Sequence, residues 1–195
     1  MRRLLLVRHA ATAATRAAAF PADEPLDERG RTAAVQLAAA LPSRRQALSS
    51  PALRCRQTAA AAGIEAPALE PDLVECDFGA WAGRPFAEVH AAEPEAAAAW
   101  MTDPDARPHG GESLTTFSQR VGSWLDAQAA HDGCAVAITH GGVVKAALVR
   151  ALGAPLAAFW RIDVAPLAVT ELHAHDGRWT ITRVNWLPSA AGSSR

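Results

Sequence analysis

Leu4-Leu5-Leu6-Val7 is a continuous apolar run that stops at Arg8-His9. Such a run, without polar alternation, suits a strand buried on both faces, as in a parallel sheet covered by helices. Residues 134–139 (CAVAIT) repeat the pattern and stop at His140-Gly141-Gly142. Residues 46–49 read as a weaker strand. Between these runs the apolar positions take helical spacing. The pattern predicts helices over 32–41, over 51–62 with Ser50 as N-cap, and over 85–100 with a kink at Pro94. It predicts two more, from Ser113 to about residue 130 and over 142–152, the latter ending at Gly153. Residues 67–84 and 102–111 carry turn residues and no periodicity and read as loops. Residues 167–172 and 179–184 are β-rich, and Asp176-Gly177 between them is a hairpin signal.

Strands alternating with helices, closed by a hairpin, predict an α/β fold. Its form is a three-layer α/β/α sandwich with a mostly parallel sheet and an antiparallel edge. Residues 1–188 read as a single domain, and the small polar stretch 189–195 as a disordered tail.

The remaining composition narrows the partners. Net charge is −1, so no bulk field points to nucleic acid or an anionic membrane. Lys145 is the only lysine among 19 cationic residues, a bias that an arginine- and alanine-rich coding background explains. Cys55, Cys76 and Cys134 are odd in number and form no CxxC, which indicates neither a disulfide framework nor a zinc site. The apolar run after Met1-Arg2-Arg3 is too short for a secretory segment, and no stretch approaches the ~20 apolar residues of a membrane span. The expected location is cytoplasmic. A homodimer is left open, with Trp124 and Trp160 as core or interface residues.

In open α/β sheets ligands bind beyond the carboxyl ends of the strands. The two strongest strands each deliver a histidine there, His9 and His140. Arg8 precedes the first, and arginine binds phosphate bidentately. Gly141-Gly142 opens a helix whose free N–H groups favour an anion. Arg54 falls in the first turns of the helix after the weak strand, and Glu75 sits in a loop bracketed by apolar residues, placed to move a proton.

Taken in order, these segments resemble the histidine phosphatase superfamily, which includes the phosphoglycerate mutases. Leu5-Leu6-Val7-Arg8-His9-Ala10-Ala11-Thr12 is similar to its opening Arg-His-Gly motif. Ser49-Ser50-Pro51-Ala52-Leu53-Arg54 is similar to its second-arginine segment, and the stretch from Leu73 to Gly83 to its acidic loop. Gly110-Gly111-Glu112-Ser113 with Arg120, and Thr139-His140-Gly141-Gly142, are similar to its two remaining motifs. The resemblance implies His9 as nucleophile, Arg8, Arg54 and His140 as phosphate pocket, and Glu75 as proton donor. Thr12, Thr15 and Gly141 are expected as further substrate contacts, with a small phosphorylated metabolite as partner and neither metal nor cofactor.

Two positions depart from the family pattern. Ala10 replaces the usual glycine, and Thr15 stands where an asparagine is usual. Residues 17–21 also lack the polar groups with which the mutases hold their substrate. Both the sparse polar groups and the short chain favour a phosphatase over a mutase. The alternatives are a mutase-type phosphotransferase, a metal site on His9, His140 and Glu75, and a non-catalytic phosphate binder. The Asp77-Phe78-Gly79 loop with Trp81 and Gly83 also resembles α-ribazole phosphatases. Trp81, Phe86, Trp100 and His109 are expected to rim the pocket.

Overall fold

The computed structural model describes residues 1–188, and the expected tail at 189–195 lies outside the described residues. The strands are β1 (Arg2–Arg8), β2 (Gln46–Ser49), β3 (Ala68–Leu69), β4 (Gly133–Thr139), β5 (Val169–His175) and β6 (Arg178–Trp186). The helices are α1 (Ala13–Arg16), α2 (Glu28–Ala34), α3 (Leu53–Ala61), α4 (Phe86–Ala92), α5 (Pro94–Thr102), α6 (Leu114–Gln128) and α7 (Gly141–Leu152). The six strands form one sheet in the order β3-β2-β4-β1-β5-β6. The first four are parallel, and β5 and β6 run antiparallel along one edge.

The apolar run of β1 is divided between two helical layers. Leu4 and Leu6 pack with α6 and α7 through Phe117, Val121 and Val144, whereas Leu5 and Val7 pack with α3 through Cys55 and Ala59. In β4, Ala135 and Ala137 face the first layer, and Val136 and Ile138 the second. Alternation between two buried faces is why neither run alternates in polarity. Trp124 belongs to the core, and Trp160 packs against it. Among the described residues no helix is long and apolar enough to cross a membrane.

Four elements differ from the sequence expectation. The helix expected over 32–41 starts earlier, because Asp27 caps Gly30 N–H; α2 ends at Ala34 and the chain tightens to a 3-10 helix over Val35–Ala39, ahead of Pro42. Ser50 does not cap α3. The Leu53 N–H donates instead to the Asp23 carboxylate from a distant loop, at 2.8 Å. The helix expected over 85–100 is two helices, broken at Glu93, with Pro94 in the first turn of α5. The loop expected over 67–84 contains β3 and 3-10 turns at Pro71–Leu73 and Gly79–Trp81, all too short for periodicity to reveal. The hairpin signal holds: Asp176 and Gly177 both have positive φ, as a tight two-residue turn requires.

Candidate active site

β1 and β4 are neighbours in parallel register, with Arg8 opposite Thr139. The residues that follow therefore emerge side by side. The His9 N–H donates to the Thr139 carbonyl at 2.8 Å, which ties the two strand ends together. The His9 and His140 rings lie 5.3 Å apart, edge to face.

His9 is 4% exposed. Its Nδ1 lies 2.7 Å from the Ala10 carbonyl, which can only accept, so Nδ1 carries the proton and Nε2 presents a lone pair. Burial, reinforced by the charge of Arg54, pushes the His9 pKa down to about 3. His140 is fully buried and held well below its ordinary range by the same two causes. The Ser50 hydroxyl accepts the Ala52 N–H and points at His140 Nε2, at 2.9 Å.

Two buried imidazoles held neutral make stability depend on pH. Their folded-state pKa values lie below the unfolded value near 6.5, so the folded form loses ground as pH falls below about 6.5 and keeps losing it toward pH 3. Each contributes a slope of about 1.4 kcal/mol per pH unit in that window. Urea unfolding at several pH values is expected to show a shallower acid-side fall for His140→Gln than for the parent protein.

Arginines flank the pair. The Arg54 guanidinium is almost wholly buried, donates to the Ala22 carbonyl and lies 3.8 Å from Glu24. Arg8 donates to the Val164 carbonyl and lies across the start of α7, where a Cβ on Gly141 would sit 3.3 Å from its Nε. The Nε of each arginine is buried without a hydrogen-bond partner among the described residues. Buried guanidinium groups that turn no carboxylate fork-to-fork are suited to a tetrahedral oxyanion.

Glu75 stands on the other side of the α7 N-terminus. Its carboxylate accepts the Gly142 N–H at 3.1 Å and the Cys76 N–H at 3.0 Å. The loop that carries it is braced from behind. Arg120 grips Glu112 with two hydrogen bonds and donates to the carbonyls of Asp72 and Val74, while Glu112 accepts the Asp77 N–H. The Gly-Glu-Ser segment and Arg120 thus position the acidic loop without reaching the histidines. A Cβ at residue 142 would fall 2.1 Å from a Glu75 oxygen. Gly142→Ala is accordingly expected to displace Glu75 and lower any catalysis that depends on its carboxylate about 10–100-fold, with a much smaller effect on unfolding midpoint. Steady-state kinetics beside a thermal melt checks this.

Thr12 and Thr15 sit at the first turn after His9. Thr12 caps α1 through the Thr15 N–H, the Thr15 hydroxyl bonds back to the Thr12 backbone, and the Thr12 hydroxyl donates to Glu24. Their hydroxyls shape the loop beside the arginines. A cavity of about 230 Å³ opens next to Glu75 and Gly142, walled by Phe20, Phe78, Phe86, Trp100 and Trp160. Phe86 and Trp100 line it as expected. Trp81 and His109 do not: both are buried behind it, against Phe78 and Trp100. Lys145, Glu24 and the hydroxyl role of Ser50 were not anticipated. Only Lys145 had a readable signal, since it falls one turn into the helix that Gly141 opens. Among the described residues no three histidine, cysteine or acidic side chains converge as a metal-ligand set, His9, His140 and Glu75 included.

Two strand-end histidines, two arginines and an acid at a helix N-terminus carry the motifs in their sequence order. The model of the histidine phosphatase superfamily, branch 1, matches residues 4–187. The chain belongs to that family. A bifunctional protein of Mycobacterium tuberculosis is 36% identical over 71% of this chain, but the chain spans only about 40% of that relative's length. The adenosylcobalamin/α-ribazole phosphatase of Salmonella typhimurium is 31% identical over 95% of this chain and 99% of its own. Among solved structures, a mycobacterial glucosyl-3-phosphoglycerate phosphatase superimposes with a TM-score of 0.82 at 28% identity, covering 95% of this chain and 99% of that one. In histidine phosphatase terms, the motifs and the strand ends coincide.

Proposed function

We propose that this protein is a metal-independent phosphatase that hydrolyses small phosphomonoesters through a phosphohistidine on His9. The observation that carries the reading is a buried, neutral His9 with its Nε2 free of proton, its ring beside that of His140 and under the charge of Arg54 and Arg8. Both full-length relatives are named phosphatases, which supports hydrolysis. The match over residues 4–187 supports one domain over residues 1–188.

The phosphoryl group of the ester dianion lies against Arg8, Arg54 and the N-terminus of α7, with Gly141 allowing the close approach. His9 Nε2 attacks phosphorus, the P–O ester bond breaks, and its electron pair leaves with the alcohol oxygen. Glu75 supplies the proton to that oxygen. His9 keeps its proton on Nδ1 and donates it to the Ala10 carbonyl, which holds the ring in line. His140 donates its N–H to an equatorial oxygen as charge builds. Water then attacks the phosphohistidine, Glu75 takes its proton, and the P–N bond breaks. Thr12 and Thr15 act in this scheme by holding the loop that, through Glu24, orients Arg54.

The segment at residues 18–21 faces the cavity with Ala18, Ala19, Phe20 and Pro21, which offer no polar side chain to hold a second hydroxyl in position for return transfer. That favours hydrolysis over a mutase reaction. Three free cysteines fit a reducing compartment and support a cytoplasmic location. The test is phosphate release from a panel of phosphomonoesters in excess EDTA, including p-nitrophenyl phosphate and α-ribazole 5′-phosphate. Chelator-resistant release is expected. Loss of release in EDTA overturns the metal-independent mechanism.

A further inference from the structure

Lys145 lies on α7, three residues beyond the Gly142 whose N–H holds Glu75. Helical side chains lean toward the helix N-terminus, which here is the catalytic end. The ammonium borders the aromatic-walled cavity and sits over the Phe159 ring, 5.3 Å from its centre. Asp163 and Glu75 act on it only from a distance, and it makes no hydrogen bond or ion pair among the described residues. A half-buried ammonium with an aromatic ring as its nearest support is poorly compensated, and burial pushes its pKa down. Outside the site, by contrast, Arg120 grips Glu112 and Arg3 grips Glu171.

Resting on the phosphatase reading above, we propose that Lys145 binds a carboxylate on the alcohol part of the substrate, so that the enzyme selects phosphomonoesters of acidic alcohols. The reacting phosphoryl group occupies the arginines and the α7 N-terminus. The alcohol must then leave on the Glu75 side, because Glu75 protonates its oxygen. That side is the cavity, whose surface is apolar apart from Glu75 and Lys145, with Cys76 as the remaining polarisable group. A single ammonium matches the single charge of a carboxylate; it lacks the donors that a second phosphate dianion calls for. The carbon skeleton of the alcohol would lie against Phe20, Phe86 and Trp100.

The test compares phenyl phosphate with 3- and 4-carboxyphenyl phosphate, for the parent protein, Lys145→Met and Lys145→Arg. The readout is the ratio of kcat/KM for the carboxylated ester to that for the plain one, so that any effect common to both cancels. The parent is expected to favour a carboxylated ester. Lys145→Met is expected to lower the ratio about 10–100-fold, mainly through KM, and Lys145→Arg to restore part of it. A ratio unchanged by Lys145→Met overturns the proposal while leaving the phosphatase reading intact. An equal fall in kcat for all esters also overturns it, since Lys145 would then act on Glu75. No release from any ester by the parent protein would instead refute the phosphatase reading.

Discussion

His9→Ala is expected to lower phosphate release from every ester by about 10⁴-fold or more, to the level of the remaining binding groups. The size follows from the loss of a covalent route. The other imidazole beside His9 is that of His140, and its Nε2 is engaged by the Ser50 hydroxyl. Acid-quenched parent enzyme should carry acid-labile phosphate on His9, and the variant none. The substitution also removes a buried neutral imidazole that costs stability in acid. His9→Ala should therefore unfold less readily than the parent below about pH 5 once both are referred to pH 7. This second readout separates a folded, inactive variant from a misfolded one. Full activity in a folded His9→Ala protein would refute the phosphohistidine mechanism.

The same two arginines serve several ends. They help hold His9 neutral and each leaves an Nε without a partner among the described residues, and in the proposed mechanism these groups attract the dianion. Glu24 tempers this concentration of charge. It sits 3.8 Å from Arg54 and also accepts the Thr12 hydroxyl, so that the loop after His9, the arginine and the acid form one connected unit. The arrangement gives physical content to the first turn after β1. Thr12 and Thr15 spend their hydroxyls on each other's backbone, which fixes where Glu24 can stand.

The strands that carry the histidines were legible because each is a short apolar run ending abruptly in polar residues, and two-sided burial explains such runs. The hairpin was legible from Asp176-Gly177, whose backbone needs positive φ. The ends of α2 and α3 were not, because side chains distant from the expected starts decide them. Asp23, thirty residues away, caps Leu53, and this frees Ser50 for His140. Four of the five central site residues stood out because each adjoins a strand end or a helix start; Glu75 stood out as an acid bracketed by apolar residues in a loop. Their electrostatics did not, since burial and the placement of carbonyls such as Ala22 and Val164 are tertiary facts. Lys145 was passed over as compositional bias; its meaning depends on the aromatic cavity, assembled from segments scattered between residues 18 and 160.

Glu75→Gln is expected to give effects that depend on the leaving group. Glutamine keeps the size of the side chain and an oxygen to accept the Gly142 N–H, so the loop braced by Glu112 and Arg120 should hold its place. What is lost is the exchangeable proton. For an alkyl phosphate the departing alkoxide needs that proton, and turnover should fall about 10²–10⁴-fold. For p-nitrophenyl phosphate the departing phenolate needs none, so phosphorylation of His9 should proceed at near the parent rate. Hydrolysis of the phosphohistidine still requires a base for water, which the amide cannot provide. The variant should therefore release one equivalent of p-nitrophenol in a burst and then turn over slowly, with phosphate retained on the protein. Stopped-flow absorbance at enzyme concentrations comparable to substrate resolves the two phases. An equal loss for alkyl and aryl esters with no burst would mean that Glu75 only shapes the N-terminus of α7, and the proton would have to come from another group.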